Sequence, residues 1–184
     1  MKKIVLTYGL IAGAILSAMM FITMPMHDRI GYDNGLLIGY TTMVVAFLMV
    51  FFGIRSYREN VAGGALSFGR GLRVGVMIAL IGAVCYVLSW ELIYYKIWPG
   101  IAEDMFTEMV KKEQASGRSD AVIAAAVEKV EKFRDMYRNP LINSAVTFME
   151  VLPVGLLATL VSAAILRRRR SDVQASGAQP AGAG

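Results

Sequence analysis

The sequence predicts an all-α protein: a bundle of four transmembrane helices with an extracytoplasmic α-hairpin inserted between the third and fourth spans. Three observations lead to this fold class. Hydrophobic residues make up 56% of the chain, they are concentrated in long runs, and basic residues cluster beside those runs. A soluble domain is about 45–50% apolar. The excess of apolar residues and its concentration therefore indicate an integral membrane protein.

Each apolar run is long enough for a helix to cross the bilayer, which takes about 20 residues for about 30 Å of hydrocarbon. The four predicted spans are residues 4–24, 36–54, 74–97 and 145–166. We predict helices because a segment in lipid must satisfy its own backbone hydrogen bonds. The first run is too long for a signal peptide, and no A-x-A-like site closes it before Pro25. It is therefore predicted to stay as an uncleaved span.

The basic residues close to span ends predict the orientation. Those on one side are Lys2, Lys3, Arg55, Arg58, Arg70, Arg73, Arg167, Arg168, Arg169 and Arg170. On the other side only Lys96 and Arg29 lie near a span. The positive-inside rule then places both termini and the 55–73 loop in the cytoplasm of a bacterial inner membrane. An aromatic belt of Trp90, Tyr94, Tyr95 and Trp98 marks the outer end of the third span.

The arginines of the cytoplasmic loop have two interpretations. Arg55, Arg58, Arg70 and Arg73 are candidate contacts for anionic lipid headgroups, at about 1 kcal/mol each. The simpler interpretation is that their charge only sets the topology.

The outer connection is too long for a structureless loop, and we predict a helical hairpin over about residues 99–139. Pro99 suits the first turn of one helix, Gly117 ends it, and Ser119 or Asp120 caps the next. The second helix carries an apolar stripe of Ile123, Val127, Val130, Phe133 and Tyr137. This stripe is expected to bury against its partner helix, the membrane surface, the span ends or another subunit. Residues 171–184 are predicted to be a disordered cytoplasmic tail.

Two carboxylates inside predicted spans are the candidate polar site, because an intramembrane charge costs about 2.5–3.5 kcal/mol. Glu91 and Glu150 are each predicted about 8–9 Å below the outer boundary at about 1.5 Å per residue. Tyr40, Thr41, Thr42, Tyr94 and Tyr95 are expected in the same polar layer. One interpretation is a proton- or cation-binding pocket open to the outside. The other is that Glu91 reaches headgroup water or pairs with Lys96, and that Glu150 joins helices through hydrogen bonds.

Small residues recur every fourth position in three spans and allow close helix packing. They are Gly9, Gly13 and Ser17, then Gly71, Gly75, Ala79 and Ala83, and finally Gly155, Thr159 and Ala163. We expect them to pack helices within one chain rather than between chains.

Several function classes lack the residues they need. The formal charge is +5, but the basic residues flank apolar runs, so we predict no nucleic-acid partner. One cysteine and one histidine make neither a disulfide nor a metal cluster. Neither H-E-x-x-H nor G-x-S-x-G occurs in the sequence. We therefore predict no catalytic residue, no metal site and no cofactor.

The chain resembles a bacterial integral membrane family known only as domain of unknown function 4199. The matching segments are 39–40, 52–58, 67–71, 90–95 and 149–155, which read Gly-Tyr, Phe-Gly-Ile-Arg-Ser-Tyr-Arg, Ser-Phe-Gly-Arg-Gly, Trp-Glu-Leu-Ile-Tyr-Tyr and Met-Glu-Val-Leu-Pro-Val-Gly. The resemblance covers about residues 4–166. It implies a four-span architecture with a helical outer insert, and it implies no activity and no functional residue.

Two functions remain from the sequence. The first is a small accessory or interaction protein that lies in the bilayer and binds a protein partner, a second copy or lipid through its outer hairpin or polar layer. The alternative is a small proton- or cation-linked channel or transporter that uses Glu91 and Glu150. Carboxylates that face each other across a hydrated cavity would favour transport.

Overall fold

The computed structural model describes residues 1–168, with the side chains of all of these but 27, 28, 32 and 33, and this part of the chain is predominantly helical. The helices are α1 (Lys2–Thr23), α2 (His27–Ile30), α3 (Tyr32–Asn60), α4 (Phe68–Leu92), α5 (Ile101–Gln114), α6 (Asp120–Tyr137) and α7 (Pro140–Leu166). No β-strand occurs among these residues. Arg169, Arg170 and the predicted tail at 171–184 lie outside the described range.

Four of these helices are long and apolar enough to cross a membrane: Lys2–Met26, Asn34–Asn60, Phe68–Ile97 and Pro140–Leu166. Large apolar side chains such as Leu37, Leu88 and Leu157 are exposed along them. Soluble monomers rarely expose apolar surface on that scale. The prediction of an all-α protein with four candidate spans is confirmed, and the chain is a multi-pass membrane protein.

The helices extend beyond the apolar segments that predicted them. The fourth begins at Pro140 rather than residue 145, because Asn139 caps it: the backbone N–H of Leu141 donates to Asn139 Oδ1 at 3.0 Å. Pro140 suits the first helical position because it needs no hydrogen bond there. Asn139 and Pro140 thus end α6 and also start α7. As a consequence Asn143 and Ser144 belong to the helix.

Helix α4 is the centre of the bundle, since it packs against α1, α3 and α7. Helix α3 closes the bundle from the other side by packing against α1 and α7. Phe47, Met43, Ile54 and Ile78 are fully buried between these helices. The core is therefore shared by all four long helices.

The small residues of α1 lie against α4. A Cβ placed on Gly13 would be 2.5 Å from Cys85 Cβ, and one on Gly9 would be 2.7 Å from Ile81 Cβ. One turn further on, Ser89 Oγ donates a hydrogen bond to Ser17 Oγ at 2.7 Å. This stripe packs α1 closely on α4 within the chain.

The second stripe of small residues joins α4 to α7. A Cβ on Gly75 would be 2.5 Å from Thr159 Cγ2, and one on Gly71 would be 3.2 Å from Ala163 Cβ. Further along, a Cβ on Gly155 would be 3.0 Å from Ala79 Cβ. The predicted small-residue positions of α4 and α7 thus meet each other in antiparallel order.

Helices α5 and α6 contact each other through aromatic rings. The Phe106 ring centroid is 5.8 Å from that of Phe133 and 5.6 Å from that of Tyr137. Gly117, with φ of 67°, lies in the turn between the helices, where a glycine accepts that conformation without strain. Ile101 at the start of α5 is buried in a cluster with Met20, Trp90 and Ile93. The α5–α6 segment is thereby attached to the ends of α1 and α4.

The loop between α3 and α4 pairs with Arg168, which lies two residues beyond the end of α7. Leu66 N–H donates to the Arg168 carbonyl and Arg168 N–H donates to the Leu66 carbonyl, each at 2.9 Å. This antiparallel bridge closes the opposite end of the bundle.

Candidate functional site

Two hydrogen bonds join α4 and α7 where α4 ends and α7 begins, a region called here the α4–α7 junction. Trp90 Nε1 donates to Asn143 Oδ1 at 2.8 Å, and Ser144 Oγ donates to Glu91 Oε1 at 2.6 Å. Consecutive residues of one helix therefore pair with consecutive residues of the other. This arrangement gives the Glu91 carboxylate one hydrogen-bond donor within the protein.

Asn143 is at the centre of a buried polar cluster. Its side chain is fully buried, and Thr147 Oγ1 donates to the Asn143 carbonyl at 2.9 Å. Asn143 Nδ2 has no hydrogen-bond partner among the described residues. Tyr137 reaches this cluster from α6. Burial raises the pKa of Tyr137 to about 12, and the neighbouring hydroxyl of Thr147 and indole N–H of Trp90 offset part of that rise.

Glu150 lies in different surroundings from Glu91. It lines a cavity of about 130 Å³ together with Thr42 of α3 and Tyr86 of α4. No described side chain forms a hydrogen bond or an ion pair with its carboxylate. Glu91 is not among the residues that line this cavity. Glu91 is thus a partnered group at a helix junction, whereas Glu150 is an exposed, unpartnered group that lines a cavity.

The other predicted members of the polar layer are spread over the surface of the bundle. Thr41 and Thr42 donate to carbonyls of their own helix, those of Leu37 and Ile38, at 2.7 and 2.8 Å. Such bonds satisfy a hydroxyl inside the helix. Tyr40 is exposed. Of these residues only Thr42 joins Glu150 at the cavity.

The tyrosines at the end of the third span also differ from each other. The Tyr94 ring contacts those of Trp90 and Tyr137, with centroids 6.3 and 6.1 Å apart. Tyr95 packs edge-on against Tyr94 and is otherwise exposed. Tyr94 therefore connects α4 to α6, and Tyr95 faces outward.

The loop arginines form two groups. Arg55 and Arg58 both pair with Glu59, each at 3.0 Å. Arg70 instead lines an open cavity with Arg167 and Arg168 beside the Leu66–Arg168 bridge, and Arg73 is exposed. Two of the four candidate headgroup contacts are thus partly neutralised by a carboxylate.

Among the side chains that the structure describes, which exclude those of residues 27, 28, 32 and 33, no three histidine, cysteine, aspartate or glutamate residues lie together to hold a metal.

Several residues of the site were not sequence-based site candidates, among them Asn143, Ser144 and Tyr86. A signal for the first was present, because Asn143, Thr147 and Glu150 are spaced by four and three residues and so share one face of a helix. It was missed because the fourth span was taken to begin at residue 145. Tyr86 lies near the middle of the predicted third span, and nothing in the sequence shows which neighbouring helix it faces.

Comparison with known proteins yields one match. A family model described as a protein of unknown function, DUF4199, matches residues 7–168. No curated protein matches the chain, and no solved structure does. The matched range runs from the first span to the end of α7 and so includes the α4–α7 junction and both cavities.

Proposed function

We propose that this chain, which belongs to the DUF4199 family of proteins of unknown function, is a membrane-embedded interaction protein of the bacterial inner membrane. In this proposal both termini are cytoplasmic, and α5 and α6 form an extracytoplasmic hairpin that binds a protein partner. The distribution of basic residues at the span ends supports the orientation. The bilayer itself is the second partner.

The observation that carries the proposal is the apolar side of α6. None of the 18 residues of α6 is buried. Val122 and Met136 are 46% and 53% exposed, and Phe133 is 36% exposed despite its contact with Phe106. An amphipathic helix that is held in place yet leaves apolar side chains uncovered is suited to a partner.

The attachment of α6 also supports a binding role, because a surface fixed in advance loses less entropy on binding. Glu103 of α5 pairs with Arg134 at 3.1 Å and with Arg138 at 3.0 Å. Tyr137 anchors the end of α6 in the polar cluster beneath it. The exposed apolar side chains are therefore presented on a fixed helix.

Site-specific photo-crosslinking in native membranes tests the proposal. A photoreactive phenylalanine at Val122 or Met136 is expected to capture one protein or a second copy of the chain. Ala124 is the matched control for Val122, because residues two positions apart along a helix lie on nearly opposite faces. Equal capture at all three positions, or capture of lipid alone, would contradict the proposal.

A second candidate function is proton- or cation-linked transport through Glu91 and Glu150. It is favoured by the unpartnered carboxylate of Glu150 in a cavity. The hydrogen bond from Ser144 to Glu91 weighs against a role for both carboxylates in one path. Flux in proteoliposomes separates the cases: transport predicts that Glu150→Gln abolishes proton or cation movement, and no flux in the unaltered protein excludes it.

A further inference from the structure

The cavity beside Glu150 exists because α1 and α3 diverge along their length. Near one end they touch, and a Cβ on Gly53 would be 3.2 Å from Tyr8 Cβ. Near the other end a Cβ on Gly35 or Gly39 would meet nothing within 4 Å. The gap that opens there is the cavity of about 130 Å³. An apolar cavity of about 150 Å³ accommodates benzene, so this one has room for a small organic molecule.

The lining of this cavity is mostly apolar, and its polar members besides Glu150 are the hydroxyl-bearing residues Thr23, Thr42 and Tyr86. Met19, Met20 and Met24 contribute thioethers and Tyr86 contributes an aromatic ring. The hydroxyls of Thr23 and Thr42 are occupied with carbonyls of their own helices, at 2.9 and 2.8 Å. No described lining residue is basic. Glu150 is therefore the one charged group among the described lining residues, and it has no counter-charge there.

We propose that this cavity binds a small organic cation, an ammonium group carried on a compact apolar body. The carboxylate within a span calls for a positive partner. The thioethers and aliphatic side chains suit an apolar body, and the Tyr86 ring can face the ammonium. A hard metal ion such as Ca²⁺ is a poor fit because it needs several oxygen ligands beside the carboxylate, and no second carboxylate is among the described lining residues.

This inference rests on the cavity alone and is independent of the partner surface on α6. A failure of crosslinking at Val122 would not affect the inference about the cavity. A failure of ligand binding would not affect the proposal about α6. It also requires no flux across the membrane.

Calorimetric titration of the full chain in mild detergent tests the proposal with two probes of matched shape. Benzylammonium is expected to bind, and its neutral counterpart benzyl alcohol is expected to bind at least about tenfold more weakly. Equal affinity for the two probes would show that charge plays no part and would overturn the proposal. Displacement of benzylammonium by sodium or potassium at equal concentration would also overturn it.

Three variants test whether benzylammonium binds in this cavity. Glu150→Gln removes the charge and is expected to weaken benzylammonium at least about tenfold. Gly39→Leu fills the gap from a helix position that has open space, and it is expected to abolish binding of both probes. Glu91→Gln is the matched control: it removes the other intramembrane carboxylate, which does not line the cavity, and is expected to change the affinity less than about twofold.

Should Glu150→Gln fail to fold, as judged by its elution in detergent, the two probes and the Gly39→Leu variant decide the question. Unchanged binding in Gly39→Leu would place the probe elsewhere and overturn the proposal.

Discussion

Trp90 Nε1 donates its hydrogen to Asn143 Oδ1 at 2.8 Å, and this bond connects the end of α4 to the start of α7 at a position from which water is excluded. Because both side chains are buried, neither has an alternative partner in solvent. Trp90 also borders Tyr137 of α6. The hydrogen bond between Trp90 and Asn143 therefore contributes both to the stability of the bundle and to the attachment of the α5–α6 segment.

Asn143→Leu is expected to destabilise the protein by about 1–3 kcal/mol, because it removes the acceptor that the buried indole N–H of Trp90 uses. Unfolding in a mixed-detergent titration measures the loss. Trp90→Phe removes the donor, and a double-mutant cycle of the two changes should give a coupling of about 1 kcal/mol. Strict additivity of the two changes would contradict a direct bond.

Gly13→Ala is expected to destabilise the bundle by about 1–3 kcal/mol, because its new methyl group would overlap Cys85 and force α1 away from α4. Gly39→Ala is the control, since that position has open space. Removing the helical glycine there should be neutral or stabilising by up to about 1 kcal/mol. Combining Gly13→Ala with Cys85→Gly should recover part of the loss, and no recovery would argue against this contact.

Phe106→Ala is expected to loosen α5 and α6 far more than Glu103→Gln does. Phe106 is buried against Phe133 and Tyr137, and emptying such a site costs about 3–5 kcal/mol. Glu103 makes exposed ion pairs with Arg134 and Arg138, which contribute about 0–1 kcal/mol. Amide hydrogen exchange over residues 101–137 compares the two variants, and equal acceleration in both would contradict this ranking.

Alkaline pH is expected to weaken the anchoring of Tyr137. Its pKa is raised by burial from 10.0 to about 12, so the folded state holds the phenol proton more tightly than the unfolded state does. The resulting stability, on the order of 2 kcal/mol, is complete below pH 10 and is lost as the pH rises from 10 towards 12.

Tyr137→Phe isolates this contribution, because the phenylalanine cannot ionise. The difference in tyrosinate absorbance between the two proteins should titrate near pH 12. The variant should also lose less stability than the unaltered protein over the same pH interval. A difference spectrum that titrates at pH 10 would show that Tyr137 is accessible to water.

The sequence was sufficient to predict helices and spans, because apolar run length alone decides which segments cross a bilayer. It was insufficient for the site, because side-chain contacts depend on how each helix is rotated about its axis. Counting residues suggested equal depths for Glu91 and Glu150, yet Glu91 faces Ser144 and Glu150 faces the gap between α1 and α3. The small-residue stripes were the exception. A run of glycines marks the contact face itself, and Gly13 and Gly75 did lie where helices meet.

The central place of α4 has a consequence for synthesis. During synthesis α1 and α3 enter the bilayer before α4. Until Phe68–Leu92 are inserted, the groove that Gly9 and Gly13 form on α1 has no helix packed against it. The pair formed by α1 and α3 is thus an incomplete folding intermediate until α4, the third span, is inserted. A nascent chain cut before residue 68 would present that open groove to the insertion and quality-control machinery, whereas α7 docks last on a face that α3 and α4 have already built.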